Sequence, residues 1–188
     1  MPSSSRIASL NLASSPIIER EKSPGILSNK AFLRVEKSRL KFCKIKDLLD
    51  GKRDENINYI FQSILEMQKL LKSRNIEFVV AIYPDEYQVN DELLNEIFAE
   101  YDDLKPESYN LTCQQEILRK FLAANSIPYI DMLNKFKIEQ NNRPLYLLRE
   151  PHWNSAGNLL AADILFNYLV KDIDKFFFGK PLSLNQEE

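Results

Sequence analysis

One long stretch of this chain carries apolar residues at helical spacing. Between Asp54 and Arg74, the residues Ile57, Ile60, Phe61, Ile64, Met67 and Leu71 fall at steps of three and four, which predicts an amphipathic helix. Asp54 suits its N-cap, and Lys72 and Arg74 suit the negative end of its dipole. Asn75 ends the pattern. The run Phe78-Val79-Val80-Ala81-Ile82-Tyr83 is then apolar without interruption up to Pro84, which predicts a strand buried on both faces of a parallel sheet. Shorter helices are predicted over Asn90–Tyr101 and Cys113–Ala124, the second with Ile117, Leu118, Phe121 and Leu122 on one side. A short strand, Pro128-Tyr129-Ile130, leads into Asp131. After a polar loop and the run Leu145 to Leu148, Asn154 caps a last helix with Ala161, Ala162, Leu165, Phe166 and Leu169 as its buried stripe. In Lys30 to Leu49 basic and apolar residues alternate irregularly, which is compatible with a further helix.

The order helix, strand, helix, strand, loop, helix implies an α/β fold, a doubly wound, flavodoxin-like parallel sheet with flanking helices. Only two or three strands are visible, where a sheet of this kind usually has about five. The sheet is therefore read as partial. Residues 1–28 form a loose Ser- and Pro-rich leader, 29–180 an incomplete α/β domain and 181–188 a tail. Phe176-Phe177-Phe178 is expected to pack on the core.

Composition narrows the function. Of 188 residues, 25 are basic and 27 acidic, for a net charge of −2, which gives no reason to expect a nucleic-acid partner. No apolar run is long enough to span a bilayer. The first 22 residues lack the apolar core of a signal peptide, so the chain as written is read as cytoplasmic, with export of a longer parent left open. Cys43 and Cys113 fit no metal or redox spacing and are expected to be buried thiols. The acidic group Glu100, Asp102 and Asp103 reads as a solvated helix end. Asp131, at a strand end, either caps the next helix or lines a site. Only four glycines are present, few for a fold that needs glycine in its strand-to-helix turns.

The candidate chemistry lies in Arg149-Glu150-Pro151-His152-Trp153-Asn154-Ser155-Ala156-Gly157, a loop leading into the last helix. His152 is the single histidine. Glu150 is two residues away, and Pro151 stiffens the link. A carboxylate beside an imidazole fixes its tautomer and stabilises the imidazolium that forms when the ring takes a proton. Spacing alone does not separate such a pair from an ordinary surface histidine.

The string Glu150-x-His152-Trp153-Asn154-x-x-Gly157 resembles the last signature block of SGNH-type (GDSL-like) hydrolases and acyltransferases. Phe78 to Val89 is similar to a central strand and its following loop in bacterial members, and Ile127 to Leu133 to a late strand. The resemblance covers roughly Asn56 to Lys171. It implies that His152 is the general base of a serine nucleophile and that Glu150, where members mostly have Asp, orients it. Trp153, Asn154 and Gly157 would be structural: the indole wedges the loop, Asn154 starts the helix, and Gly157 lets that helix approach the sheet. Neither a cofactor nor a metal is implied. The implied substrate is a small-molecule or carbohydrate ester.

The remainder of the family's machinery is not recognisable. Members carry their nucleophile in Gly-Asp-Ser and an oxyanion-hole Asn in Gly-x-Asn, yet Gly25, Gly51, Gly157 and Gly179 open neither block. Serines 3, 4, 5, 14 and 15 lie in the leader with no strand before them. Three functions therefore compete: an SGNH-type ester hydrolase or its C-terminal fragment, an O-acyltransferase of polysaccharides, and a truncated, non-catalytic binding module. A flavodoxin-like ligand module is disfavoured, since no glycine-rich phosphate loop follows a strand.

Overall fold

The computed structural model of the protein describes residues 27–49 and 55–171. The expected cap at Asp54 and the Phe176-Phe177-Phe178 run lie outside the described residues. The chain begins with α1 (Asn29–Lys41), where Ser28 Oγ accepts from Ala31 N at 3.3 Å and so satisfies one donor of the first turn. Then follow α2 (Ile45–Leu49), α3 (Glu55–Lys72), β1 (Val80–Ile82), α4 (Glu86–Val89), α5 (Asp91–Glu100), a 3-10 turn (Pro106–Ser108), α6 (Cys113–Ala124), β2 (Tyr129–Asp131), α7 (Leu133–Gln140) and α8 (Ser155–Lys171). The fold is α/β. Strands β1 and β2 pair in parallel, with Val80 opposite Tyr129, Ala81 opposite Ile130 and Ile82 opposite Asp131.

Alternation along the strands sends side chains to two apolar clusters. Val80 and Ile82 join Ile64, Leu118, Phe121, Leu122 and Ile127 from α3, α6 and the following loop, with Phe61 and Phe121 stacked at 3.8 Å between centroids. Val79 and Ile130 join Phe136, Leu145, Tyr146, Ala161 and Ile164 on the side of α7 and α8. A third cluster packs Phe32, Leu33 and Leu40 of α1 against Tyr87, Leu93, Ile97 and Leu104.

Three expectations are corrected. First, β1 is not buried on both faces: Ala81 is exposed and Tyr83, just beyond the strand, is 64% exposed. Among the described residues β1 has a ladder partner on one edge only, and an unbroken apolar run does not reveal how many neighbours a strand has. Second, the buried stripe of α8 is Ala156, Ala161 and Ile164, while Ala162, Phe166 and Leu169 are exposed. This helix is apolar nearly all round, so its sequence does not encode its rotation. Third, Cys43 and Cys113 are not thiols but form a disulfide with Cα atoms 5.7 Å apart. Seventy residues separate them, a closure that on chain-entropy grounds stabilises by about 4 kcal/mol. Beside it, Lys44 and Tyr109 form an antiparallel bridge and Asn110 N donates to Cys43 O at 3.0 Å.

A buried carboxyl sits where α1 meets the end of β1. Glu36 is wholly inaccessible, its Oε1 accepting from Arg39 at 3.0 Å while Oε2 has no partner among the described residues. Arg39 also reaches Asp85 Oδ1 at 3.3 Å. One guanidinium thus serves two carboxylates, and Glu86 adds a third negative field. Burial, outweighing the attraction of Arg39, pushes the Glu36 carboxyl up from 4.5 to about 7. Because the folded-state pKa is the higher one, the folded state favours the proton. Its contribution is fully present below 4.5, is lost between 4.5 and 7, and is constant above. The wild type should therefore lose about 3 kcal/mol relative to Glu36→Gln across that interval, measured by urea unfolding at a series of pH values. Parallel curves for the two proteins would refute the assignment.

Candidate active site

The loop between α7 and α8 is built like a short hairpin. Tyr146 and Trp153 form an antiparallel bridge, Leu147 N donates to His152 O at 2.9 Å, and Asn154 N donates to Leu145 O at 2.9 Å. Asn154 ties the hairpin to the helix. Its Oδ1 accepts from Gly157 N at 3.0 Å as the cap of α8, and its Nδ2 donates to Pro144 O at 2.8 Å and Tyr146 O at 3.3 Å. Gly157 allows the helix to lie against this loop: a Cβ there would collide with the Leu145 carbonyl oxygen and stand 2.9 Å from Trp153 Cβ.

Trp153 fixes the loop to the sheet. Its backbone pairs with that of Tyr146, whose hydroxyl donates to Pro84 O, just past β1, at 2.7 Å. The indole also packs on Phe136 with centroids 5.0 Å apart and meets the edge of Tyr83 at 5.4 Å. Burial raises the Tyr146 phenol above its ordinary range, against a lowering effect of the neighbouring Trp153, so it stays a neutral donor.

Glu150 and His152 meet on this support. Glu150 Oε1 lies 2.5 Å from His152 Nδ1. The carboxylate is mostly covered, at 17% exposure, and the imidazole stands out at 76%. A carboxylate can only accept, so Nδ1 carries the hydrogen and Nε2 is left with its lone pair turned outward. Proton acceptance at Nε2 is the chemistry this arrangement supports. Arg149, the residue before Glu150, adopts a left-handed φ of 53°, and its Nε is buried without a partner among the described residues. Such strain next to an acid–base pair is held in place by the surrounding bonds.

Glu150, His152, Trp153, Asn154 and Gly157 are thus brought together in one loop and the first turn of α8. Asp131 is not part of it: its Oδ1 accepts from Leu133 N at 3.0 Å and so opens α7, and Arg119 lies 3.6 Å from its other oxygen. Asp103 of the acidic group takes Lys37 at 2.6 Å. Among the described residues no cluster of three or more His, Cys, Asp or Glu side chains could hold a metal ion. Sequence reasoning missed Tyr146, whose partner Pro84 is 62 residues away, and Tyr83, which it took for part of a buried strand. It also missed Glu36, although a glutamate in the stripe Phe32, Leu33, Glu36, Leu40 is a visible signal.

Residues 42–176, well over half of the chain, match a protein family described as the SGNH hydrolase-like domain of the acetyltransferase AlgX. The chain belongs to this family of SGNH hydrolase-like domains. No curated protein and no solved structure matches it.

Gly157→Ala should cost about 2–3 kcal/mol net, overpacking outweighing the helix propensity gained. Denaturant midpoints measure this, and an unchanged midpoint would show that the loop can shift away from α8 at no cost.

Proposed function

We propose that this chain carries the base half of a serine-dependent acyl-transfer site in a doubly wound SGNH-type domain. The observation that carries the reading is the Glu150–His152 pair, with Nδ1 engaged at 2.5 Å and Nε2 open. In the reaction, Nε2 takes the proton of a serine hydroxyl as its oxygen attacks an ester carbonyl, and Glu150 stabilises the imidazolium formed. The imidazolium then protonates the leaving alkoxide. In the second half-reaction Nε2 deprotonates water, which gives hydrolysis, or a sugar hydroxyl, which gives O-acyl transfer. Membership of a family named for an acetyltransferase favours acetyl as the acyl group and a small or carbohydrate ester as substrate. No Gly-Asp-Ser occurs in the 188 residues, and none of their serines is assigned as the nucleophile.

A second, binding-only reading is favoured by that missing block. One set of measurements separates the two. With 4-nitrophenyl acetate at pH 8, His152→Ala should lower the rate at least tenfold and Glu150→Gln several-fold, in line with general-base contributions of about 10²–10⁴. His152 is the only histidine, so its ring ¹⁵N signals are unambiguous: wild type should show the Nδ1–H tautomer, and Glu150→Gln a mixture. Equal rates for wild type and His152→Ala, with the same ring tautomer in wild type and Glu150→Gln, would defeat the catalytic reading and leave the binding module.

A further inference from the structure

We propose that the Cys43–Cys113 disulfide is a maturation lock: the His152 loop reaches its working position only after this bond has formed, so the chain completes its folding in a thiol-oxidising compartment. The importance of that loop rests on the acyl-transfer reading, whereas the lock itself does not.

The argument starts at the ends of the bond. Cys43 follows α1, and Cys113 opens α6. Beside the disulfide, the bridge from Lys44 to Tyr109 and the backbone bond from Asn110 N to Cys43 O hold the turn after α1 to the segment before α6. The docking of α1 also buries Glu36, a group that resists burial. A covalent closure next to α1 offsets that cost. From Cys113 the contacts run on into the site. Gln115, on the same turn of α6, exchanges amide hydrogen bonds with Gln88 at 2.9 and 3.0 Å. Gln88 Oε1 accepts from Asp85 N at 2.8 Å. The neighbouring Pro84 carbonyl holds Tyr146, whose backbone pairs with Trp153, the residue after His152. Both glutamines are buried, Gln88 at 5% and Gln115 at 1% exposure, so breaking the series leaves unpaired polar groups inside the protein.

The sulfurs are as deeply covered, with Cys43 at 0% and Cys113 at 2% exposure. Thiolate attack on a disulfide needs access to sulfur. In the folded chain the bond is therefore shielded, which suits a permanent lock better than a cycling switch. Its formation removes two protons and two electrons from the paired thiols. A protein dithiol oxidase, or glutathione disulfide in vitro, accepts them and is reduced to its dithiol or to two glutathione molecules. Disulfides of this kind persist in oxidising compartments and are rare in a reducing cytosol, which departs from the cytoplasmic expectation drawn from the N-terminal sequence.

The chain reports on its own loop, since Trp153 and His152 are its only tryptophan and histidine. Full-length protein refolded from guanidinium chloride with a glutathione redox pair should titrate no thiols when denatured again. In native buffer it should resist millimolar dithiothreitol. Protein refolded with dithiothreitol instead, and the variant C43A/C113A, should show red-shifted Trp153 emission, a His152 ring signal at the coil position, and ester hydrolysis reduced at least tenfold. Loss of all helical circular dichroism in these samples supports the lock equally, because the loop is then unformed. Two titratable thiols in the glutathione-refolded protein would overturn the proposal. So would wild-type Trp153 and His152 signals in both reduced samples. An unaltered tautomer in Glu150→Gln would instead count against the acyl-transfer reading and leave the lock standing.

Discussion

The position of the candidate site depends on a hydrogen-bond series that crosses from loop to sheet. The backbone of Trp153 pairs with that of Tyr146, and the Tyr146 hydroxyl donates to the carbonyl of Pro84. Tyr146 is buried at 3% exposure, where each bond left unmade costs about 1–3 kcal/mol. This link adds to the hairpin's own base, the cap of α8 and the packing of Trp153 on Phe136. With it, the hairpin is referenced to the end of β1, and so is the imidazole one residue before Trp153. Asn154 and Gly157 then set how closely α8 follows. The imidazole at the tip can be largely solvent-exposed because everything beneath it is tied down.

What the sequence revealed and what it withheld follow from the range of the interactions. Helix α6 was read with its true bounds, Cys113 to Ala124, because its apolar side is written at local spacing. The Glu150–His152 pair and the Asn154 cap were legible for the same reason, as both involve partners two or three residues apart. The disulfide, the Tyr146–Pro84 bond and the pairing of β1 with β2 join positions far apart in the chain, and nothing at either end announces the other. Helix α8 failed differently. Its apolar residues cover so much of its circumference that more than one rotation would satisfy the pattern, and the choice is made by the approach of Gly157 to Leu145.

Two of the hidden features act against one another. Glu36 lies inside the contact between α1 and the β1–α4 turn and shares the Arg39 guanidinium with Asp85 as its counter-charge. That contact weakens as the carboxyl ionises. The disulfide directly after α1 opposes the weakening. A covalent tie beside a poorly compensated charge lets the helix stay docked in either protonation state.

Among the described residues the second edge of β1 has no strand beside it, which bears on how the protein keeps to itself in concentrated solution. An unpaired strand edge invites a neighbouring molecule to add a strand, and ladders of that kind grow into fibres. Here the edge is three residues long, and Pro84 stands two positions after its end with no N–H to offer. A newcomer finds too few donors and acceptors to extend a ladder. The brevity of the strand and the proline behind it act together as a guard against runaway stacking, and the proline that provides this guard is the residue whose carbonyl carries the His152 loop.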